Sequence, residues 1–178
     1  MTDPHPGRTG TGANMHRSGS PLGAEGRRRI GALALAAYPE EACGVWFAPP
    51  ARGTDRGTGA GGVVVVPCRN AAPIDRGRRF AIDPDELRTI LRGRGDRWVG
   101  VFHSHPDGTT DPSAIDQVEA LPGLLAAIVA VEADGEKAFA VYERGPGPGA
   151  PLRAVGAAGL PEDVPTSRIR PASLGASP

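Results

Sequence analysis

Large apolar side chains are concentrated in the middle of this chain, and that distribution fixes where a core can form. Beyond Met1, residues 1–26 carry only Met15 and Leu22 among Gly, Pro, Ser, Thr and Arg; residues 145–178 are rich in Pro, Gly, Ala and Ser. Segments of that composition bury too little apolar surface to offset the entropy of ordering. The expected organisation is a disordered N-terminal tail over 1–26, one compact domain over 27–144, and a Pro/Gly-rich C-terminal tail over 145–178 with an edge strand near 151–156. A domain of about 120 residues is an ordinary size.

Within the domain, periodicity predicts the elements. Residues 27–38 read as a helix, with Ile30, Leu33, Ala34, Ala37 and Tyr38 on one face. Residues 43–48 read as a strand, 49–62 as a Gly-rich loop, 63–68 as a buried β-branched strand, and 78–82 as a further strand. Asp83 followed by Pro84 and Glu86 is a helix start with the spacing of a capping box, and Gly93 and Gly95 stop that helix. Strands are expected over 97–105, 124–131 and 137–143, with a short helix over 113–121 and a turn at Asp134-Gly135. The fold class is α/β (α+β): a mixed β-sheet flanked by helices.

Charge and cysteine content exclude several classes. The 20 basic and 20 acidic residues cancel, so the footprint of a nucleic-acid binder is missing. The Arg27–Arg29 run and the cluster of Arg76, Arg78 and Arg79 are local, and read first as solvated surface. Two cysteines, Cys43 and Cys68, make neither a disulfide framework nor a Cys-rich zinc motif, and read as buried small residues. No apolar run has the length of a membrane span and no secretory h-region opens the chain, so a cytoplasmic protein without membrane or nucleic-acid partners is expected.

The chemistry is concentrated in residues 103–116, HSHPDGTTDPSAID. His103 and His105 are i and i+2 on a strand, so both imidazoles project from one face. Asp116 lies in the first turn of the next helix, after a loop stiffened by Pro106 and Pro112. Two nitrogens and one carboxylate oxygen form the ligand set of a catalytic zinc with an open position. The same spacing also suits a surface His pair beside a helix cap made by Ser113 and Asp116, and both roles can hold together. The chain's other two histidines, His5 and His16, lie in the N-terminal tail, so the domain's histidines are these two alone. Ser104, between them, faces the other way and suits a structural hydrogen bond. Trp46 and Trp98 read as core, and Asp107 as a loop residue able to hydrogen-bond a ligand.

H-S-H-P followed by P-S-x-x-D, with an upstream Glu, resembles the JAMM (MPN-plus) zinc metallopeptidase family. Its compact bacterial branch also shows P-x-E-x-C-G, matched by Pro39, Glu41, Cys43 and Gly44; N-x-x-P, matched by Asn70 and Pro73; and F-x-x-x-P, matched by Phe80 and Pro84. The resemblance covers residues 27–144 and implies a cytidine-deaminase-like MPN/JAMM fold. It implies one Zn2+ held by His103, His105 and Asp116. Glu41 would be the general base that takes a proton from the attacking water and passes it to the leaving amine, and Ser113 would donate to the developing oxyanion. Glu40, one residue out of register with the pattern, reads as an exposed helix-end residue.

That branch is associated with ubiquitin-like sulfur-carrier proteins. The implied activity is therefore hydrolysis of a peptide or isopeptide bond at the carrier's C-terminal tail, releasing an amino acid such as cysteine or trimming the tail to expose Gly-Gly. The tail would lie along the sheet as an added strand. A non-catalytic MPN-like interaction module is the alternative, and retention of every ligand argues against it. A nucleobase deaminase needs H-x-E and P-C-x-x-C, which are missing.

Overall fold

Strand β1 (Cys43–Ala48) is buried at every position, as its unbroken apolar run requires of a strand covered on both faces. A computed structural model describes residues 22–48 and 62–155, and within them β1 lies inside a six-stranded sheet. The sheet runs β2 (Val64–Cys68), β1, β3 (Arg97–His105), β4 (Leu125–Glu132), β5 (Gly135–Arg144), β6 (Leu152–Ala154). Only β3 and β4 pair in parallel; every other neighbouring pair is antiparallel.

Helix α1 (Gly23–Ala37) covers one face, where Ile30 and Ala34 join Trp46, Phe102, Ala127 and Val129 in the main core. Close approach sets residue size between β1 and β3. A Cβ on Gly100 would stand 2.4 Å from both Leu125 O and Trp46 Nε1, so only glycine leaves room for the indole. On the opposite face, α2 (Pro84–Arg92) packs Leu87, Ile90 and Leu91 over Val45, Phe47 and Trp98. A separate cluster of Ile128, Tyr142 and Leu152 meets Ala120, just past α3 (Ala114–Glu119). Fully burying a side chain such as Phe102 on the α1 face or Phe47 on the other is worth roughly 1.5–3 kcal/mol, so both faces contribute to stability.

The mixed sheet flanked by helices is as expected, and β1 and β3 have their expected bounds. The expected edge strand near 151–156 is β6. Four expectations need correction. Helix α1 starts at Gly23, inside the segment read as tail, because Leu22 is seated in the main core and Gly26 brings the helix close to Val63. Strand β2 is the sheet edge, with only Val65 buried. Residues 78–82 form no strand: Ile82 alone bridges to Asn70, and the segment belongs to a loop organised by the Asn70 side chain. Asp83 caps α2 by accepting from the N–H groups of Asp85 and Glu86, but Glu86 accepts from Arg69 N rather than closing a capping box. The tails over 1–21 and 156–178, and residues 49–61 of the expected loop, lie outside the described residues.

Candidate metal centre

On the α2/α3 face the C-terminal end of β3 carries polar side chains between the two apolar clusters. His103 sits there between Cys43 of β1 and Ile128 of β4. His105 follows two residues later on the same face; both are buried, 3% and 7% exposed. Ser104 points to the other face, where its Oγ accepts from Ala42 N at 2.8 Å, while Ser104 N donates to Ala42 O at 3.0 Å. That double contact ties the start of β1 to the ligand-bearing strand.

Asp116 reaches the histidines from α3. Ser113 and Asp116 form a reciprocal capping box: Ser113 N donates to Asp116 Oδ2 at 2.7 Å and Asp116 N to Ser113 Oγ at 3.2 Å. The box fixes the carboxylate's direction. Asp116 Oδ1 lies 3.2 Å from His103 Nε2, Asp116 Oδ2 lies 3.4 Å from His105 Nε2, and the two Nε2 atoms are 3.0 Å apart. Helix cap and ligand geometry thus coexist in one residue pair. Asp107 has the loop role expected of it, accepting from Thr109 N and Oγ1, and its charge acts on His105 and Glu41.

These separations, 3.0–3.4 Å, lie at or slightly below those around a bound small cation. Ligands held about 2.0–2.2 Å from a tetrahedral zinc lie roughly 3.3–3.6 Å from one another. His103, His105 and Asp116 each offer an atom, all within 4.8 Å of the others, and so could hold one metal ion. Electrostatics agree with the donor chemistry. Burial pushes His103 below its ordinary pKa despite the neighbouring Asp116, favouring the neutral imidazole that a metal requires. Burial also disfavours protonated His105, but the hydrogen bond and charge of Asp116 outweigh it and raise that group. Burial opposes ionisation of Asp116, yet hydrogen bonds from both histidines hold its carboxyl far below the usual range.

Glu41, two residues before β1, is 5% exposed, whereas Glu40 lies at the surface. Burial is the main cause that pushes the Glu41 carboxyl up to about 7; His105 pulls it down and Asp116 pushes it up, so it lies within the field of two of the candidate ligands. Its backbone is held on both sides: Glu41 N donates to Arg76 O at 2.7 Å, and Glu41 O accepts from Asn70 Nδ2 at 3.1 Å.

Asn70 organises this wall of the site. Its Nδ2 also donates to Arg79 O at 2.9 Å, and its Oδ1 accepts from Ala72 N at 3.0 Å and Ala81 N at 3.3 Å. The loop so folded lays Phe80 on His103, ring centroids 4.5 Å apart and 20° from parallel. Sequence motifs pick out Asn70 and Phe80 but not these roles, which depend on contacts across the fold. The arginine cluster is partly used within the same loop, since Arg76 Nε donates to Ala72 O and its guanidinium faces Glu40 at 3.8 Å. Cys43 and Cys68 stand opposite each other on β1 and β2, both thiols pushed up to about 12 chiefly by burial, which removes nucleophilic character. No helix of the described residues is long and apolar enough to cross a membrane.

A family model described as prokaryotic homologs of the JAB domain matches residues 23–142. Two solved structures have a similar fold. A protein of Salinibacter ruber is 25% identical, with a TM-score of 0.51 over 78% of this chain and 90% of that one. A protein of Desulfitobacterium hafniense is 23% identical, with a TM-score of 0.53 over 73% of this chain and 84% of that one. No curated protein matches the chain.

Proposed function

The chain belongs to the prokaryotic homologs of the JAB domain, and on that premise we propose that it is a zinc metallopeptidase that hydrolyses a peptide or isopeptide bond at the C-terminal tail of a ubiquitin-like sulfur-carrier protein. The observation that carries this reading is the convergence of His103, His105 and Asp116 beside a buried Glu41 that takes no part in the ligand group. The family includes both metallopeptidases and non-catalytic members, and a complete donor set with a separate carboxylate favours the first.

His103 and His105, each through a ring nitrogen, and Asp116, through a carboxylate oxygen, would hold the zinc. When bound, zinc supplies Lewis acidity toward water and toward the scissile carbonyl. Glu41 takes a proton from the attacking water on its carboxylate and delivers it to the departing amine nitrogen as the C–N bond breaks. A base whose affinity for protons lies near neutrality can both accept and release one. Ser113, at the N-cap of α3, donates its hydroxyl to the oxyanion as the carbonyl carbon becomes tetrahedral. The carrier as substrate, whether it yields an amino acid or a trimmed tail, is supported by the P-x-E-x-C-G and H-S-H-P…P-S-x-x-D segments of the compact bacterial branch.

Zinc content and turnover of wild type and Glu41→Gln test the scheme together, with a carrier–amino acid conjugate as substrate. Zinc in both proteins and cleavage by wild type alone is the expected result, with a loss of at least about 100-fold for the removed base. A wild type without zinc, or a variant that cleaves at the wild-type rate, would overturn it.

A further inference from the structure

We propose that Arg144, acting with Tyr142 on the same face of β5, is a positioning residue for Asp116, so that the β5–β6 hairpin is part of what makes the metal site. The inference rests on the reading of His103, His105 and Asp116 as metal ligands.

The need for a clamp follows from α3 itself. The helix has six residues, none of them buried, and Val118 on it is 81% exposed. Helices well under about 12 residues do not persist on propensity alone and depend on packing. Apolar anchorage here is slight, with Ala120 resting on the Ile128, Tyr142 and Leu152 cluster. The capping box orients Asp116 relative to its own helix, but it does not fix that helix on the sheet.

Polar contacts from the hairpin do. Arg144 Nε donates to Ala120 O at 3.0 Å, and its Nη2 donates to Gln117 O and to Val118 O. These carbonyls belong to the last turn of α3 and its C-cap, where backbone acceptors lack helical partners and the helix dipole is negative. A guanidinium satisfies several at once because its donors form a rigid planar fork, and the charge strengthens each bond. Nη1 meanwhile donates to Ala150 O at 2.8 Å, and Leu152 N donates to Gln117 Oε1 at 2.8 Å, which ties the same helix to β6. Tyr142 Oη donates to Thr110 O at 2.8 Å, in the loop between the histidines and α3. The chain carrying Asp116 is therefore gripped before and after that residue by one hairpin. Tyr142 is the last residue matched by the family model, and Arg144 and β6 lie just beyond it.

Cobalt(II) binding to the full chain is the test, because affinity and visible absorption both report the ligand geometry without turnover. Arg144→Ala is expected to weaken cobalt binding about tenfold, at the low end of the range for residues that orient metal ligands, and to lower the intensity of the tetrahedral band. Arg144→Lys keeps the stem and charge without the fork and is expected to lose less. Val65→Ala, in the core against α1, is the comparison: it lowers stability and leaves cobalt affinity unchanged. If wild type binds no cobalt, the metal reading and this inference fall together. If wild type binds and Arg144→Ala matches it in affinity and spectrum, this inference alone is overturned, as it is if Val65→Ala loses as much affinity. Should Arg144→Ala not fold, Arg144→Lys decides, and unaltered affinity in that variant overturns the proposal.

Discussion

Replacing Asn70 by Ala should separate the loop that holds Glu41, the proposed general base, from the proposed metal ligands. The side chain makes four close backbone contacts: it donates to Glu41 O and Arg79 O and accepts from Ala72 N and Ala81 N. The contacts to Glu41 and Ala72 are buried, while those to Arg79 and Ala81 are half-buried and can be taken over by water. Each of the two buried groups left without a partner costs about 1–3 kcal/mol, so the variant should lose roughly 2–6 kcal/mol. With a urea slope of about 2 kcal/mol/M for a domain of this size, the unfolding midpoint falls by about 1–3 M at unchanged slope. Asn70→Asp is no rescue, because a carboxylate would face two carbonyl oxygens.

The functional consequence of the same substitution is selective. Glu41 O loses its anchor and Phe80 loses the fold that lays it on His103, but β3 and α3 keep the ligands in place. Turnover should fall while zinc per chain, measured under folded conditions, stays at the wild-type value. A destabilisation below about 0.5 kcal/mol would show that water replaces all four contacts, contrary to the burial of two of them. Loss of zinc in step with turnover would show that the loop supports the ligands rather than the base.

Two further outcomes follow from the same geometry. Folded Glu41 keeps its proton up to about 7 whereas the unfolded chain releases it near 4.5, so the metal-free wild type should lose stability relative to Glu41→Gln as pH rises between those values. The loss is on the order of 3 kcal/mol, and paired urea titrations at the two ends of the window that give a constant difference would refute it. Ser104→Ala strands the buried N–H of Ala42 and should cost about 1–3 kcal/mol, read as a lower thermal midpoint; an unchanged midpoint would mean that Ser104 N and Ala42 O alone tie the two strands.

The site's legibility in the sequence tracks how local each part is. His103 and His105 share a face because a strand alternates every two residues, and Ser113 caps Asp116 because a capping box spans three positions. Both are readable from a dozen consecutive residues. Glu41 was separable from Glu40 by a motif register, and burial divides the two in the same way. Residues 78–82 look like a strand from propensity, but the Asn70 side chain takes up backbone groups that a strand would have paired, and tertiary contact overrides local preference. The edge position of β2 is a matter of sheet order, which a run of valines does not encode. Leu22 shows the converse case: a single apolar residue in a polar stretch reads as tail, yet it seats the start of α1 in the main core.

The three proposed ligands are not equally secured, and this has a consequence for reading such motifs. His103 and His105 stand on a central strand, paired on both sides within the sheet, and moving either means moving the core. Asp116 stands on a six-residue helix whose hold on the sheet is mainly polar and comes from another part of the chain. Ligand order therefore rests on two different kinds of contact: apolar burial for the histidines, and a guanidinium on helix carbonyls for the aspartate. Apolar burial tolerates many substitutions of similar volume, while a fork that serves three helix carbonyls at once is only partly replaced by lysine. A chain can thus retain every residue of H-x-H-P and P-S-x-x-D and still lose a well-formed metal site through changes in a hairpin that the motif never mentions.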